Sequence, residues 1–530
     1  MRKWLPLTTV SLGTFMLLID VTIVNVALPD MAKDLHSSFS SLQWVIDIYA
    51  LSLAALLLGI GAYSDKVGRR PVYIVGLAVF ALSSLSCGLA PDTTVLIASR
   101  GVQGIGAAAM FATTIALLST SYEGRDRGIA FGVWGAINGA AAAAGPIIGG
   151  LLTQGLSWRW IFFVNLPISV AAITLSVLAL DKHEPRREGR VDLPGTIAFT
   201  LCAGAVTYAL TRASDAGWGS PQTVGLLAVS AVALLAFVAI EARSRRPLLD
   251  LQLLRRPRFS AVLVGGFVLP LAAFSYLTYV SLWLQSVHGM SPIGAGAAFL
   301  PLSIASLTVS LTIGRFLHTP TAQRWSLTVG LALIGAGGLL AAHLGADSDW
   351  RSVFIGLLVN GIGVGLVSPP LASAALAAVP PQLGGMASGA LNTMRQLGYA
   401  LGIAGLGVIL QSRIADSLSH SPGVTDSGRL AKTVAGGQSQ AVLHAAPPAA
   451  RGALDHAISS AFASGLNATL VIGGIAGLVG AVVVGIALRP TGAREHATGE
   501  HDARDHAARE HRSDREPAAA QRSAAGQTSR

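Results

Sequence analysis

Three ionisable residues interrupt separate apolar runs of this chain: Asp20, Asp47 and Arg100. A charge inside a membrane-length apolar run is costly and marks function by default. Two acids and an arginine are the parts needed to hold and release a proton, because burial favours the protonated acid and a nearby arginine the ionised one. Counted along a helix, the three sit about 8–12 Å from the same end of their runs. Arg100 has a second reading, in which its long stem carries the guanidinium out to the interface. Arg395 is a further embedded charge, open between a substrate contact and a bond to a helix end. Further candidates for substrate contact are Asn25, Gln103, Trp134, Tyr279 and Asn392. Aromatic residues on such runs, Phe131, Phe274, Tyr276 and Trp283 included, otherwise serve packing or lipid contact.

Two stretches bear on movement. Gly61 to Pro71 reads GAYSDKVGRRP. Gly68 permits a tight reversal between antiparallel helices. Arg69 and Arg70 hold the loop at the membrane surface, and Asp65 is placed to cap the next helix or to pair with an arginine. Gly135 to Gly150 reads GAINGAAAAAGPIIGG, and small residues recur at helical spacing from Gly128 to Gly149. Such a face lets a neighbouring backbone come close. Pro146 removes the hydrogen bond to the Ala142 carbonyl and predicts a bend beside Gly145, Gly149 and Gly150.

The elements that position these residues follow from composition. The chain has 530 residues, 52% hydrophobic and only 12% charged, and its mean hydropathy is +0.59. A soluble domain carries about 25% charge. With roughly 20 apolar residues per span, the runs predict fourteen spans. They lie near 5–28, 42–63, 71–90, 94–118, 129–152, 161–180, 194–212, 222–241, 259–284, 292–314, 326–344, 352–374, 386–410 and 466–488. The formal charge of +10 sits in short loops at one end, from Arg2, Lys3, Lys66, Arg69 and Arg70 through Arg255, Arg256 and Arg324. The short loops of the other end offer only Lys33, Arg159, Arg212 and Arg351. This bias puts both termini in the cytoplasm and makes a nucleic-acid partner unnecessary. The first run has no small-residue cleavage pattern and reads as a retained span.

Residues 411–465 form a long outward loop of Gly, Ser, Pro and His, expected to be disordered except for a short helix near Arg451 to Phe462. The tail after Arg489 is polar and charge-mixed, hence disordered. Its His496, His501, His506 and His511 recur every five residues, about 140° apart around a helix, so they share no metal-binding face. Cys87 and Cys202 lie in apolar runs and read as packing residues. There is no phosphate loop of the form GxxxxGK[ST], and no soluble segment large enough for a catalytic domain.

Several of these motifs resemble one family. Gly145-Pro146-x-x-Gly149-Gly150 resembles the antiporter motif on the fifth helix of drug:proton exporters of the major facilitator superfamily. The ordered G-x-x-x-D-K-x-G-R-R at Gly61 to Arg70 resembles that superfamily's loop between helices two and three, with Tyr63 where leucine is usual. Arg100-x-x-Gln103-Gly104-x-Gly106 is similar to its fourth-helix motif. Leu18 to Pro29, around Asp20 and Asn25, resembles the first helix of the fourteen-span branch. Trp158 to Ile168, Gln285 to Pro301, and Ser388 to Gly402 with Asn392 and Arg395 extend the match.

The resemblance implies an all-α polytopic membrane protein of fourteen helices, two six-helix bundles with two inserted helices. The expected divisions are 1–180, 181–257, 258–488 and a tail 489–530. It implies a secondary transporter, not an enzyme, in a bacterial cytoplasmic membrane. Such a protein exports small hydrophobic drugs or antibiotics in exchange for protons, with no cofactor and no metal. Asp20, Asp47 and Arg100 are then the proton-coupling residues, Asp20 first because its motif matches. Asp65, Gly68, Arg69, Arg70, Gly145, Pro146, Gly149 and Gly150 are the gating residues. In the resembled fold helices one, two and four are neighbours, so movement of Arg100 relative to Asp20 would load and unload a proton. Two alternatives stand beside this: a dedicated exporter of one metabolite, and a membrane sensor with a transporter-like body.

Overall fold

The computed structural model describes residues 2–489 apart from 38, 182–191, 245–246, 317–318 and 422–425. The tail with its spaced histidines lies outside the described residues, as do scattered side chains within helices, those of Asn25 and Pro146 among them. Among the described residues, regular structure is entirely helical. The first long helices are α1 (Leu5–Asp34), α2 (Phe39–Val67), α3 (Arg69–Gly88), α4 (Thr93–Ser121) and α5 (Gly124–Gly155). A short α6 (Trp160–Phe163) leads into α7 (Asn165–Ala179), followed by α8 (Leu193–Ala216) and α9 (Pro221–Arg243). After a turn of helix, α10 (Leu251–Leu254), come α11 (Pro257–Ala273) and α12 (Leu277–Leu282), then α13 (Pro292–Ala298) and α14 (Leu300–Ile313). The last group is α15 (Pro320–Ala341), α16 (Phe354–Ala377), α17 (Gly384–Ser419), α18 (Ser427–Ala435), α19 (Ser439–Ala445) and α20 (Pro448–Ala487).

The helix starts are written locally. Asp92, Asp192, Ser220 and Thr319 each accept a hydrogen bond from the backbone three residues on, which satisfies an N–H with no partner inside the helix. Proline stands in the first turn of α8, α9, α11 and α15, where no N–H is missed. Gly68 takes φ of 111° between α2 and α3, the reversal expected of it.

Among the described residues, twelve helical stretches are long and apolar enough to cross a membrane. The two other expected spans fall on α5 and on the broken rod of α13 and α14, whose longer piece has 14 residues. In lipid a rod of this kind is satisfied because every backbone bond is internal. The apolar stretch of α4 is 78% buried and that of α9 only 17%, so α4 is central and α9 peripheral.

One set of rods packs α1 on α5 and α7, and α4 on α2 and α3; another packs α17 and α20 on α11, and α16 on α14 and α15. Between the sets α17 crosses α2 and α4, and α5 crosses α14 and α16. The pair α8–α9 lies against α2 and α17 through α8.

The disorder expected for residues 411–465 is overturned by the described part of that segment. α17 continues to Ser419, α18 and α19 follow, and the helix expected near Arg451 is the start of α20. Ala431, Val434 and Ile458 are buried with Leu410, Ile414 and Leu418 of α17 and with Tyr276 and Val280. Polar composition had hidden an amphipathic pattern: these apolar residues roof the ends of α12, α17 and α20 that lie opposite the basic loops.

Candidate functional site

Asp20 of α1 and Arg100 of α4 meet at the centre of the first set of rods, both 0% exposed. Arg100 Nη1 donates to Asp20 Oδ2 at 2.6 Å and to Gln103 Oε1 at 2.8 Å. Its Nε donates to the Val45 carbonyl of α2 at 3.0 Å. The guanidinium lies 4.2 Å from the Tyr49 ring centroid and 5.8 Å from that of Phe162. The reading in which Arg100 reaches out to the interface is therefore excluded. Asp20 Oδ1 accepts from Gln103 Nε2 at 3.0 Å and from Asn165 Nδ2 at 3.1 Å. Both amides also donate to Ser84 Oγ of α3, at 2.7 and 3.0 Å. A fully buried charge pair is tolerable only when its remaining lone pairs and protons are satisfied in this way.

Sequence reasoning found three members of this network and missed Ser84, Asn165 and Tyr49. Asn165 is a polar residue in an apolar run, and that was the available signal. Asp47 is half-buried on α2, two residues before Tyr49; the described bonds of Asp20 and Arg100 go elsewhere. Gln103 is a member of the Asp20–Arg100 network by geometry, besides being a substrate candidate.

The second cluster lies at the end of the bundle that carries the basic loops. Asp65 Oδ1 accepts from Arg69 Nη2 at 3.0 Å and from the backbone N–H of Gly385 at 2.6 Å, and its Oδ2 from Met386 N–H at 2.7 Å. Arg69 Nη2 also donates to the Pro381 carbonyl at 2.5 Å. Asp65 pairs with an arginine as expected, but the helix it caps is α17, not α3. The reason is local: Leu383 precedes α17 and offers no side-chain cap, so the orphan N–H groups find a distant carboxylate, favourable at a helix N-terminus. Arg70 Nη2 donates to the Val177 carbonyl of α7 at 2.9 Å.

Close backbone contact closes this end. A Cβ on Gly61 would lie 2.5 Å from the Gly385 carbonyl oxygen, and one on Gly132 2.6 Å from that of Ser310. Beyond, a Cβ on Gly145 would meet Thr22 Cβ of α1 at 2.8 Å, one on Gly149 would meet the Ile23 carbonyl oxygen at 3.1 Å, and one on Gly150 would meet Ile293 of α13 at 3.0 Å.

Of the remaining candidates, Trp134, Asn392 and Arg395 lie along the seam between the two sets of rods, and Tyr279 lies within the second set. Trp134 is 0% exposed and its Nε1 donates to Thr14 Oγ1 at 3.0 Å. Asn392 Nδ2 donates to the Phe111 carbonyl of α4 at 2.9 Å. The Tyr279 hydroxyl donates to the Ile403 carbonyl of α17. Arg395 sits 5.6 Å from the Trp134 ring centroid, and its Nε has no hydrogen-bond partner among the described residues. At the end opposite the basic loops, Asp34 accepts from Trp158 Nε1 at 3.0 Å and from Arg159. These bonds, Arg159's first, hold the Asp34 carboxyl below the usual carboxylate range. No cluster of His, Cys, Asp or Glu that could hold a metal occurs among the described residues.

Comparison with known proteins agrees with this architecture. The chain is 31% identical over 493 residues to the tetracenomycin C resistance and export protein of Streptomyces glaucescens, covering 91% of each chain. It is 35% identical to the multidrug resistance protein Stp of Mycobacterium tuberculosis, over 78% of this chain and 77% of that one. It is 36% identical to the puromycin resistance protein pur8 of Streptomyces alboniger, over 81% and 86%. The crystal structure of the human organic anion transporter MFSD10 superposes with a TM-score of 0.59 at 18% identity, covering 91% of this chain and 99% of that one. At that identity the likeness speaks for the fold alone. A family profile matches residues 10–403, and on that match and these relatives the chain belongs to the Major Facilitator Superfamily of membrane transporters.

Proposed function

We propose that this transporter exports small, largely hydrophobic drugs or antibiotics in exchange for protons. It does so across the cytoplasmic membrane of a bacterial cell, as fourteen spans with both termini inside. The chain then divides into bundles at 1–180 and 258–488, an inserted pair within 181–257 and a tail from 489. The basic loops mark the cytoplasmic face. The observation that carries the exchange is the fully buried Asp20–Arg100 pair bridging α1 and α4. In this state Arg100, Gln103 and Asn165 compensate the carboxylate. As the bundles rock, a shift of α4 against α1 inside the first bundle parts the pair and leaves a bare buried charge. Taking up a proton is the inexpensive way to neutralise it. The return of Arg100 expels that proton to the other side. Asp65 and Arg69, closing one end through α17, and the tight α1–α5 contact at Gly145 are the gating parts. The proton is the coupling ion, and no cofactor is required.

The test is flux in proteoliposomes under an imposed pH gradient. Asp20→Asn is expected to abolish gradient-driven export while downhill substrate exchange survives. Asp47→Asn is expected to keep the coupling. Normal pumping by Asp20→Asn with failure of Asp47→Asn would assign the proton to the other acid, and normal pumping by both would sink the exchange. A narrower reading, a dedicated exporter of one compound, is favoured by relatives named for single antibiotics, tetracenomycin C and puromycin. Susceptibility profiling against an empty vector separates the two.

A further inference from the structure

Among the described residues, the charges embedded in the two bundles do not all pair. Asp20 is matched by Arg100 and Asp65 by Arg69. Arg395 is left over. Among the described residues it makes no ion pair, its Nε is buried without a hydrogen bond, and its described contact is the face of Trp134 at 5.6 Å. Its position excludes a helix-end role: it lies eleven residues into α17, roughly 16 Å from the start, and Trp134 lies ten residues into α5, roughly 15 Å from its start. Counted instead from the expected span bounds 129–152 and 386–410, Trp134 is about 8 Å and Arg395 about 14 Å inside a hydrocarbon core of about 30 Å. The depth of Arg395 is where transporters of paired bundles place their substrates.

The surroundings fix which way the guanidinium faces. Gly402 of α17 packs against Ser275, just past the end of α11, and Asn392 is tied to Phe111 of α4. Arg395 projects between these contacts, across the seam to α5. It stands next beyond the close contacts of Gly61 with Gly385 and of Gly132 with Ser310. Part of its side chain is not covered by protein, as is true of the adjacent Gln396. The Trp134 ring lies beside the guanidinium, whose Nε carries no hydrogen bond among the described residues.

A cation held halfway through the membrane without a counter-ion needs one. We infer that the exported substrate supplies it: a lipophilic organic anion whose carboxylate, phenolate or enolate docks on Arg395 beside Trp134. Planar guanidinium binds such groups in bidentate fashion. This rests on the export reading above and narrows its substrate class. Exchange of one anion outward for one proton inward also moves two charges in the same electrical sense, so an inside-negative potential drives both.

The experiment uses the full chain in lipid nanodiscs with three probes of equal body: 2-naphthoate, its methyl ester and a naphthyl-trimethylammonium. Equilibrium binding is expected to favour the acid over both others by about tenfold or more, which is about 1.4 kcal/mol per decade. Arg395→Gln is expected to remove that preference by weakening the acid about tenfold while leaving the ester within about twofold. Arg395→Lys, which keeps the charge and loses the planar fork, is expected to fall between. Weak or absent binding of the acid to the wild-type chain overturns the assignment, and so does an acid preference that survives Arg395→Gln. Binding is read without any gradient. Failure of gradient-driven flux would thus refute proton exchange while leaving the anion site to stand or fall on its own data.

Discussion

Asp65→Asn is expected to spring open the basic end of the bundle. The wild-type carboxylate accepts from Arg69 and from two backbone N–H groups at the start of α17. The amide keeps one acceptor oxygen and turns a donor toward groups that are themselves donors. Removing one partner of a buried ion pair costs about 3–5 kcal/mol. Arg69 and Asp65 are 2% and 1% exposed, so solvent screening gives no discount. With one acceptor retained, about 3 kcal/mol is a fair figure, and at about 1.4 kcal/mol per decade the open-to-closed ratio rises roughly 150-fold. The loss falls on the closed state, because in the open state both side chains reach water. The reporter is Ala387→Cys, a site with 0% exposure between the capped residues and Gly389, in a chain with Cys87 and Cys202 replaced by alanine. A membrane-impermeant maleimide is added from the basic side. Where reclosing is fast, labelling follows the open population, so the rate should climb by about two decades or until it saturates. A rate unchanged by Asp65→Asn would show that the carboxylate does not hold this end shut.

Three further outcomes are expected. Gly145→Leu should force α1 from α5, since even a Cβ there meets Thr22 Cβ at 2.8 Å; export should fall and proton leak rise, while Gly155→Leu, with nothing within 4 Å, should leave both unchanged. Arg159→Gln should let the Asp34 carboxyl titrate back up toward its ordinary value of 3.8. Because the native value is depressed, the stabilisation it reports is present above the ordinary value and lost as pH falls through the native one; the pH dependence of thermal unfolding, compared with Asp34→Asn, reads it. Reporter fusions should place 411–465 outside and 242–257 inside, and finding both on one side would break the proposed topology.

The apolar runs located the rods well, because in lipid length and hydropathy nearly determine a helix. They located the ends of α17 and α20 poorly. There the helices continue into polar sequence and are held by Leu410, Ile414 and Leu418 packing on the roof of α18 and α19, a tertiary effect that no hydropathy window sees. The Asp20–Arg100 pair was legible because each charge is isolated in an apolar run and must find a partner. Asn165 and Ser84 complete the pair, yet a lone polar residue of that kind also occurs as a mere backbone hydrogen-bonder, so its own run did not distinguish the roles. The cap that Asp65 places on α17 was illegible for a different reason. Capping signals are read from the residues next to a helix start, and this one comes from 320 residues away.

The length of α17 makes it a lever. Its 36 residues span about 54 Å, well beyond the hydrocarbon core. One end is clamped under Asp65, and the other is buried beneath α18 against Ala431 and Val434. A tilt of about 5° around its midpoint swings the two tips roughly 2 Å in opposite directions. The helical roof on the far side thus acts as a pointer for the clamp, and a fluorophore or antibody fragment seated there would follow each stroke from outside the bilayer.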